Sequence, residues 1–176
     1  MVTVLAHARV PSPESADEID PSLVVGVSLR DALTRTWPTD AHLTAYEPVN
    51  VPALDADGNE TGDTVPVRLT RSAIGEGIAP RMVAMIGDVD PPGHTATPEW
   101  RADVEPRLDA SGLAWYSTRN GYRVVATIAD PFELSSVADE ARWSDLYLNW
   151  REFLLEDGIE IDAACKDWTR IYRLPN

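Results

Sequence analysis

The stretch "RMVAMIGDVD", Arg81–Asp90, decides the fold. Five apolar residues, Met82 to Ile86, run through Gly87 into two carboxylates with one residue between them. Such a run predicts a strand over Arg81–Asp88, apolar on both faces and therefore central in its sheet. Asp88 and Asp90 then point to one face, roughly 7 Å apart along the strand. Like charges at that spacing repel, and burial disfavours both unless a cation neutralises them. A divalent metal is the simplest such cation, since Mg2+ takes oxygen ligands and keeps waters for a substrate's phosphates. The plain alternative is a polar turn, Asp90-Pro91-Pro92-Gly93, closing a strand.

Downstream, Thr97-Pro98-Glu99 opens a helix, with Thr97 as N-cap and Pro98 at the first position. Pro106 is expected to kink or restart that helix, and Gly112 to end it. In "LAWYSTRNGYRVVATI", two alternating segments flank Asn120-Gly121, a strong hairpin signal. A turn there pairs Arg119 with Tyr122, Thr118 with Arg123 and Ser117 with Val124, and leaves Arg123 projecting from one sheet face. An arginine so placed can grip a phosphate bidentately, or can be an ordinary surface arginine. Ser135 to Glu156 reads as the longest helix. Trp143, Leu146, Tyr147, Trp150, Phe153 and Leu154 form a stripe at helical spacing, which we assign to core. Asp157-Gly158 stops it. Ile159 to Asp162 reads as a short strand, and Thr169 to Leu174 as another.

Upstream, Ser28-Leu29-Arg30-Asp31 resembles a capping box, with Leu29, Leu33 and Trp37 on one helical face. Leu43 to Tyr46 and Val65 to Leu69 read as strands flanking the turn-rich DADGNETGD. Pro11 to Pro21 is acidic, bracketed by proline and read as a loop or linker. The expected fold class is α+β, a largely antiparallel sheet beneath the long helix. Residues 1–80 would form a smaller α/β lobe and residues 81–176 the lobe that carries the motifs.

The 176 residues suffice for one domain with a core, and 44% hydrophobic content suits a globular chain. No apolar run approaches the roughly 20 residues of a membrane span, and the N-terminus has no signal-peptide pattern. Cys165 is the only cysteine, which excludes an internal disulfide and a four-thiolate zinc site. A cytoplasmic protein is expected. The net charge of −14 counts against a general DNA-coating role. Two basic islands interrupt it. Thr118 to Val125 carries Arg119 and Arg123 with no acid; Lys166 to Asn176 carries Lys166, Arg170 and Arg173 against Asp167 alone. They suit a small anionic ligand held locally, unless each arginine simply pairs with a surface acid. Asp162 adds a third carboxylate beside the second island. Acids for metal and cations for phosphates are what phosphoryl transfer needs.

Taken in order, the apolar strand with D-V-D, the hairpin Y-S-T-R-N-G-Y-R and the run I-D-A-A-C-K-D-W-T-R-I-Y-R-L-P resemble the three motifs of the archaeo-eukaryotic primase superfamily, the primase-polymerases. The likeness is to domains at the N-terminus of helicase-linked replication proteins in phages and mobile elements. It covers roughly Met82 to Asn176. The resemblance implies an RRM-like sheet packed on an N-terminal α/β lobe, with the active site between them. It implies that Asp88, Asp90 and Asp162 are the catalytic metal ligands, for Mg2+ or Mn2+. Gly121-Tyr122-Arg123 corresponds to the second motif, with Arg123 where most of the family has histidine. Arg170 and Arg173 correspond to basic residues near nucleotide or template. The nucleotide-binding set is then Thr118, Arg119, Gly121, Arg123, Lys166, Arg170 and Arg173. The implied activity is nucleotidyl transfer, as a DNA primase or polymerase acting on nucleotide triphosphates with a single-stranded template or primer-template. Family domains usually continue past this point, so a longer protein with a C-terminal helicase domain is implied. Two readings stay open beside it: a non-catalytic RRM-like nucleotide or nucleic-acid binding module, and a two-metal nuclease. His94, four residues after Asp90, could approach the metal site but is set aside as a solvated histidine in a Pro-Gly loop; Trp168 could stack on a base or equally be buried.

Overall fold

The computed structural model describes residues 1–6, 23–35, 37 and 41–174. Every strand pairing within them is antiparallel. The expected linker Pro11 to Pro21 lies outside the described residues. The chain forms β1 (Val2–Ala6), β2 (Leu23–Val27), α1 (Leu29–Thr34), β3 (Ala41–Leu43), β4 (Val49–Leu54), β5 (Glu60–Val67) and the short α2 (Ser72–Gly75). Then come β6 (Arg81–Val89), α3 (Pro98–Ala110), β7 (Ala114–Ser117), β8 (Tyr122–Glu133), α4 (Val137–Glu156) and β9 (Tyr172–Arg173). The architecture is α+β, as expected. One sheet runs β2-β1-β3-β9, a second β6-β8-β7, and β4 with β5 make a separate hairpin.

The caps at Ser28 and Thr97 read directly from sequence into structure, and Ser136 caps a long helix that starts at Val137. Ser28 accepts from the Asp31 amide, Thr97 from Trp100 and Ser136 from Asp139, each supplying an acceptor to an otherwise unbonded helix N–H. Gly112 and Gly158 follow their helices at positive φ, 69° and 73°. Pro106 differs from expectation: α3 runs through it unbroken.

The apolar run forms a strand, but β6 is not central. It sits at the edge of its sheet, and β8 lies between it and β7. Burial on both faces does not count hydrogen-bonded neighbours; Met82, Ala84 and Ile86 are buried by packing above and below. The outer edge of β6 is covered piecemeal instead. The Ala45 carbonyl accepts from Val83, Ile86 offers its carbonyl to the Tyr147 hydroxyl, and Asp88 offers its own to the Asp162 amide at 2.9 Å. That last bond is what remains of the expected strand over Ile159 to Asp162, which is otherwise irregular. Only Tyr172 and Arg173 of Thr169 to Leu174 form strand, and they pair with His42 and Leu43 of β3. The chain's end therefore returns to the N-terminal sheet. Leu43 to Tyr46 is strand only at its start, and the following hairpin is longer than expected, since Glu60 to Asp63 belong to β5.

One hydrophobic cluster joins both sheets. It takes Val4 and Leu43 from the first, Ile86 and Val124 from the second, and Trp143, Tyr147 and Leu154 from α4. Each large ring buried there removes about 150–250 Å² from water, on the order of 4–6 kcal/mol as an upper bound. The α4 stripe is only partly core: Leu146 is 37% and Phe153 62% exposed. Trp168 is buried, its indole donating to Glu140 at 2.6 Å. No helix among the described residues is long and apolar enough to cross a membrane.

Candidate active site

The end of β6 and the β7–β8 hairpin build the site together. The hairpin turns one residue earlier than expected. Ser117 pairs with Tyr122 and Tyr116 with Arg123, so the reversal falls at Arg119-Asn120. The Thr118 amide donates to the Gly121 carbonyl at 2.9 Å, and the Thr118 hydroxyl accepts from the Gly121 amide at 3.1 Å. Gly121 is not needed for a positive φ. It is needed for space: a Cβ there would collide with the Val89 carbonyl and come within 2.7 Å of Asp90 Oδ1. Glycine lets the turn press against the two-acid end of β6.

Register then fixes the chemistry. Asp88 lies opposite Arg123, and Val89 opposite Tyr122. Period two sends Arg123 and Tyr116 to the face that carries Asp88. Tyr122 turns to the other face, stacked on Trp100 at 5.6 Å with its hydroxyl on Glu105. Arg123 is not a projecting surface arginine, as the expected register implied. Its side chain is 14% exposed, and its Nε donates to Asp88 Oδ1 at 2.5 Å. A second guanidinium N–H reaches the Arg173 carbonyl at 2.6 Å. The rings of Tyr172 and Tyr116 flank the head at 5.3 and 5.9 Å. Burial would lower the Arg123 pKa, but Tyr116 and Asp88 outweigh it and the net shift is upward.

Arg170 takes the other oxygen of Asp88 at 3.1 Å and stands 3.5 Å from Asp162 Oδ2. The tail bends before β9, so Arg170 reaches Asp88 while Arg173 lines the cleft. Asp162 caps the one-turn helix Ala163–Lys166 by accepting from the Ala164 amide at 2.9 Å. Cys165, the next buried residue, places its thiol 3.7 Å from Asp88 Oδ2. Burial pushes that thiol up to about 11, with Asp88 adding to the effect.

Asp88, Asp90, Thr118, Arg119, Arg123 and Arg173 all line one cleft of about 490 Å3. Gly121 lies directly under Asp90, and Arg170 and Asp162 stand around Asp88. Lys166 is exposed and does not line the cleft; its carbonyl accepts from Trp143 instead. Two contributors went unread in the sequence: Tyr116 and Tyr172 wall in Arg123. The signal for Tyr116 was the hairpin register. His94, set aside as solvated, is 75% exposed, with Nδ1 3.4 Å from Asp90 Oδ2.

The fit of these acids to a divalent ion can be judged from what they hold. Their oxygens suit Mg2+ or Mn2+ in type. Asp88, however, is shared between two guanidiniums, and Asp162 faces the Ala164 amide. Among the described residues no group of three or more histidine, cysteine or acidic side chains is arranged to hold an ion. An ion at Asp88 would therefore have to displace arginine. Comparison with family models, curated proteins and solved structures gives no match.

Proposed function

We propose that this chain is a metal-dependent nucleotidyltransferase of the primase-polymerase kind, adding nucleotides to a nucleic-acid strand. The observation that carries the reading is the Arg123–Asp88–Arg170 cluster at the cleft that Asp88, Asp90 and Arg123 line, with Asp162 3.5 Å from Arg170. Asp88 and Asp90 reach the cleft from one chain segment and Arg123 from a second, and Arg170 with Asp162 adjoins Asp88 from a third. A plain surface has no reason to collect them. On this reading the β6-β8-β7 sheet corresponds to the RRM-like lobe and the first sheet to the N-terminal lobe, with the C-terminal tail joining the first sheet through β9.

Once the arginines give up Asp88, the carboxylates of Asp88, Asp90 and Asp162 would hold Mg2+ or Mn2+, which would supply activation of the primer 3′-hydroxyl and neutralise charge on the triphosphate. Arg123 and Arg170 bind phosphate oxygens bidentately. Tyr116 and Tyr172 keep water from the Arg123 head, strengthening its hold on an anion. Arg119 and Arg173 sit at the cleft for the remaining phosphates or the strand backbone. The substrates are nucleotide triphosphates with a single-stranded template or primer-template, in the cytoplasm. A helicase domain following in the same polypeptide is the expected companion.

The saturation of Asp88 by arginine favours a second reading, a non-catalytic nucleotide-binding module in which those ion pairs are permanent. Incubation with labelled primer-template, nucleotides and Mn2+ separates the two. Extension supports the enzyme; nucleotide binding without extension supports the module; shortening of the primer points to a nuclease.

A further inference from the structure

Asp88 fills an anion position in its own site. One of its oxygens takes Arg123 Nε at 2.5 Å and the other takes Arg170 at 3.1 Å. Two guanidiniums on one oxyanion is the arrangement an arginine pair gives a phosphate. Arg123 is also anchored independently, by the Arg173 carbonyl and by Tyr116 and Tyr172. Its head is thus kept on the cleft face when its bond to Asp88 is given up. Arg170 is freer, its side chain 34% exposed against 14% for Arg123.

We propose that Asp88 is a built-in stand-in for phosphate, and that a triphosphate or pyrophosphate binds by taking Arg123 and Arg170 away from it. This rests on the nucleotidyltransferase reading. Each N–H that turns to phosphate is lost to the carboxylate, so the exchange loosens Asp88 for a cation. A metal arriving alone must strip two guanidiniums from a buried carboxylate. An anion arriving alone must leave that carboxylate buried without a counterion, which is costly. Arriving together, each removes the obstacle to the other, so metal and phosphate bind with positive coupling. An arginine at position 123 keeps the contact closed at every working pH, because it does not lose its charge.

The test uses the whole chain and needs no turnover. With chelator present, pyrophosphate affinity is measured by calorimetry for wild type and Asp88→Asn, whose folding is checked by its cooperative melt. Asp88→Asn should bind pyrophosphate at least about tenfold more tightly, since its arginines have lost their internal anion. Independently, Arg170→Gln should bind Mn2+ alone several-fold more tightly than wild type, read from the spin-resonance signal of free Mn2+. If Asp88→Asn does not fold, the Mn2+ measurement decides alone. Unchanged affinity in a folded Asp88→Asn protein, or unchanged Mn2+ binding in Arg170→Gln, overturns the proposal. Both gains without any primer extension would leave the stand-in intact and remove the polymerase reading.

Discussion

Asp88 and Arg123 are cross-strand partners, directly opposite on β6 and β8, and their side chains close a 2.5 Å ion pair on the cleft face. The two-acid end of a buried strand raised the question of its counterion, and the nearest answer is covalent to the chain. The pair links fold to function, because the same hydrogen-bond ladder that sets the sheet register also sets the charge at the candidate site. A slip of one residue would send Arg123 to the Tyr122 face and leave Asp88 without it.

Arg123→Ala is expected to lower stability by about 2–4 kcal/mol, because removing one partner of a buried pair strands the other. Arg170 still meets Asp88, which holds the loss toward the lower end. Nucleotide affinity should fall roughly tenfold or more, while primer-template affinity changes little. Denaturant midpoints and two titrations at one salt concentration check both parts. Equal losses for both ligands would place Arg123 in a strand-binding groove instead.

Gly121→Ala is expected to destabilise by about 1–3 kcal/mol, since the added methyl meets the Val89 backbone carbonyl as well as the Asp90 side chain. Backbone cannot swing aside as a side chain can. The hairpin must lift off the end of β6, so the Asp88–Arg123 pair should loosen with it. Thermal melts together with backbone amide exchange at Tyr122 and Arg123 give the answer. A wild-type melt would mean that the close approach is not rigid.

Cys165 should make stability fall in alkali. Its thiol is pushed up to about 11 by burial, with Asp88 second, against about 8.5 in an unfolded chain. Below pH 8.5 both states are protonated and the folded state keeps its full advantage. Between about 8.5 and 11 only the unfolded chain ionises, so stability declines as pH rises. From pH 7.5 to 10 the stability of wild type relative to Cys165→Ser should drop by about 2 kcal/mol. A thiol reagent at pH 8.5 should also react far faster with unfolded protein than with folded. Rapid native labelling would contradict the burial.

Local signals carried much of this fold. The caps at Ser28 and Thr97 and the stops at Gly112 and Gly158 act within a few residues, so short windows contain their physics. The pairing of Tyr172 with Leu43 does not, because nothing local marks which distant edge a two-residue strand will join. The hairpin turn slid by one residue because Asn-Gly chemistry was weighed without the neighbour that wanted glycine, the end of β6. At the site, the gathering of Asp88, Asp90, Arg123 and Arg170 was legible as residue types in order. That Asp88 is clasped by arginine was not, since repulsion between Asp88 and Asp90 is a near-neighbour inference and its relief comes from 35 and 82 positions away.

Asp162→Asn separates catalysis from folding better than any change at Asp88. Asp162 has two jobs on its two oxygens: one caps the turn through the Ala164 amide, the other stands 3.5 Å from Arg170. Asparagine caps as well as aspartate, so the first job survives. The second is a pair at a side chain 45% exposed, worth about 0–1 kcal/mol. The melt should therefore stay close to wild type. Asparagine is uncharged and a poor ligand for Mg2+ or Mn2+, so primer extension should drop by about a hundredfold or more if Asp162 completes the metal site. Nucleotide binding in chelator should persist, since Arg123 and Arg170 are untouched. Full extension by a well-folded Asp162→Asn protein would remove Asp162 from the chemistry and leave it as a helix cap.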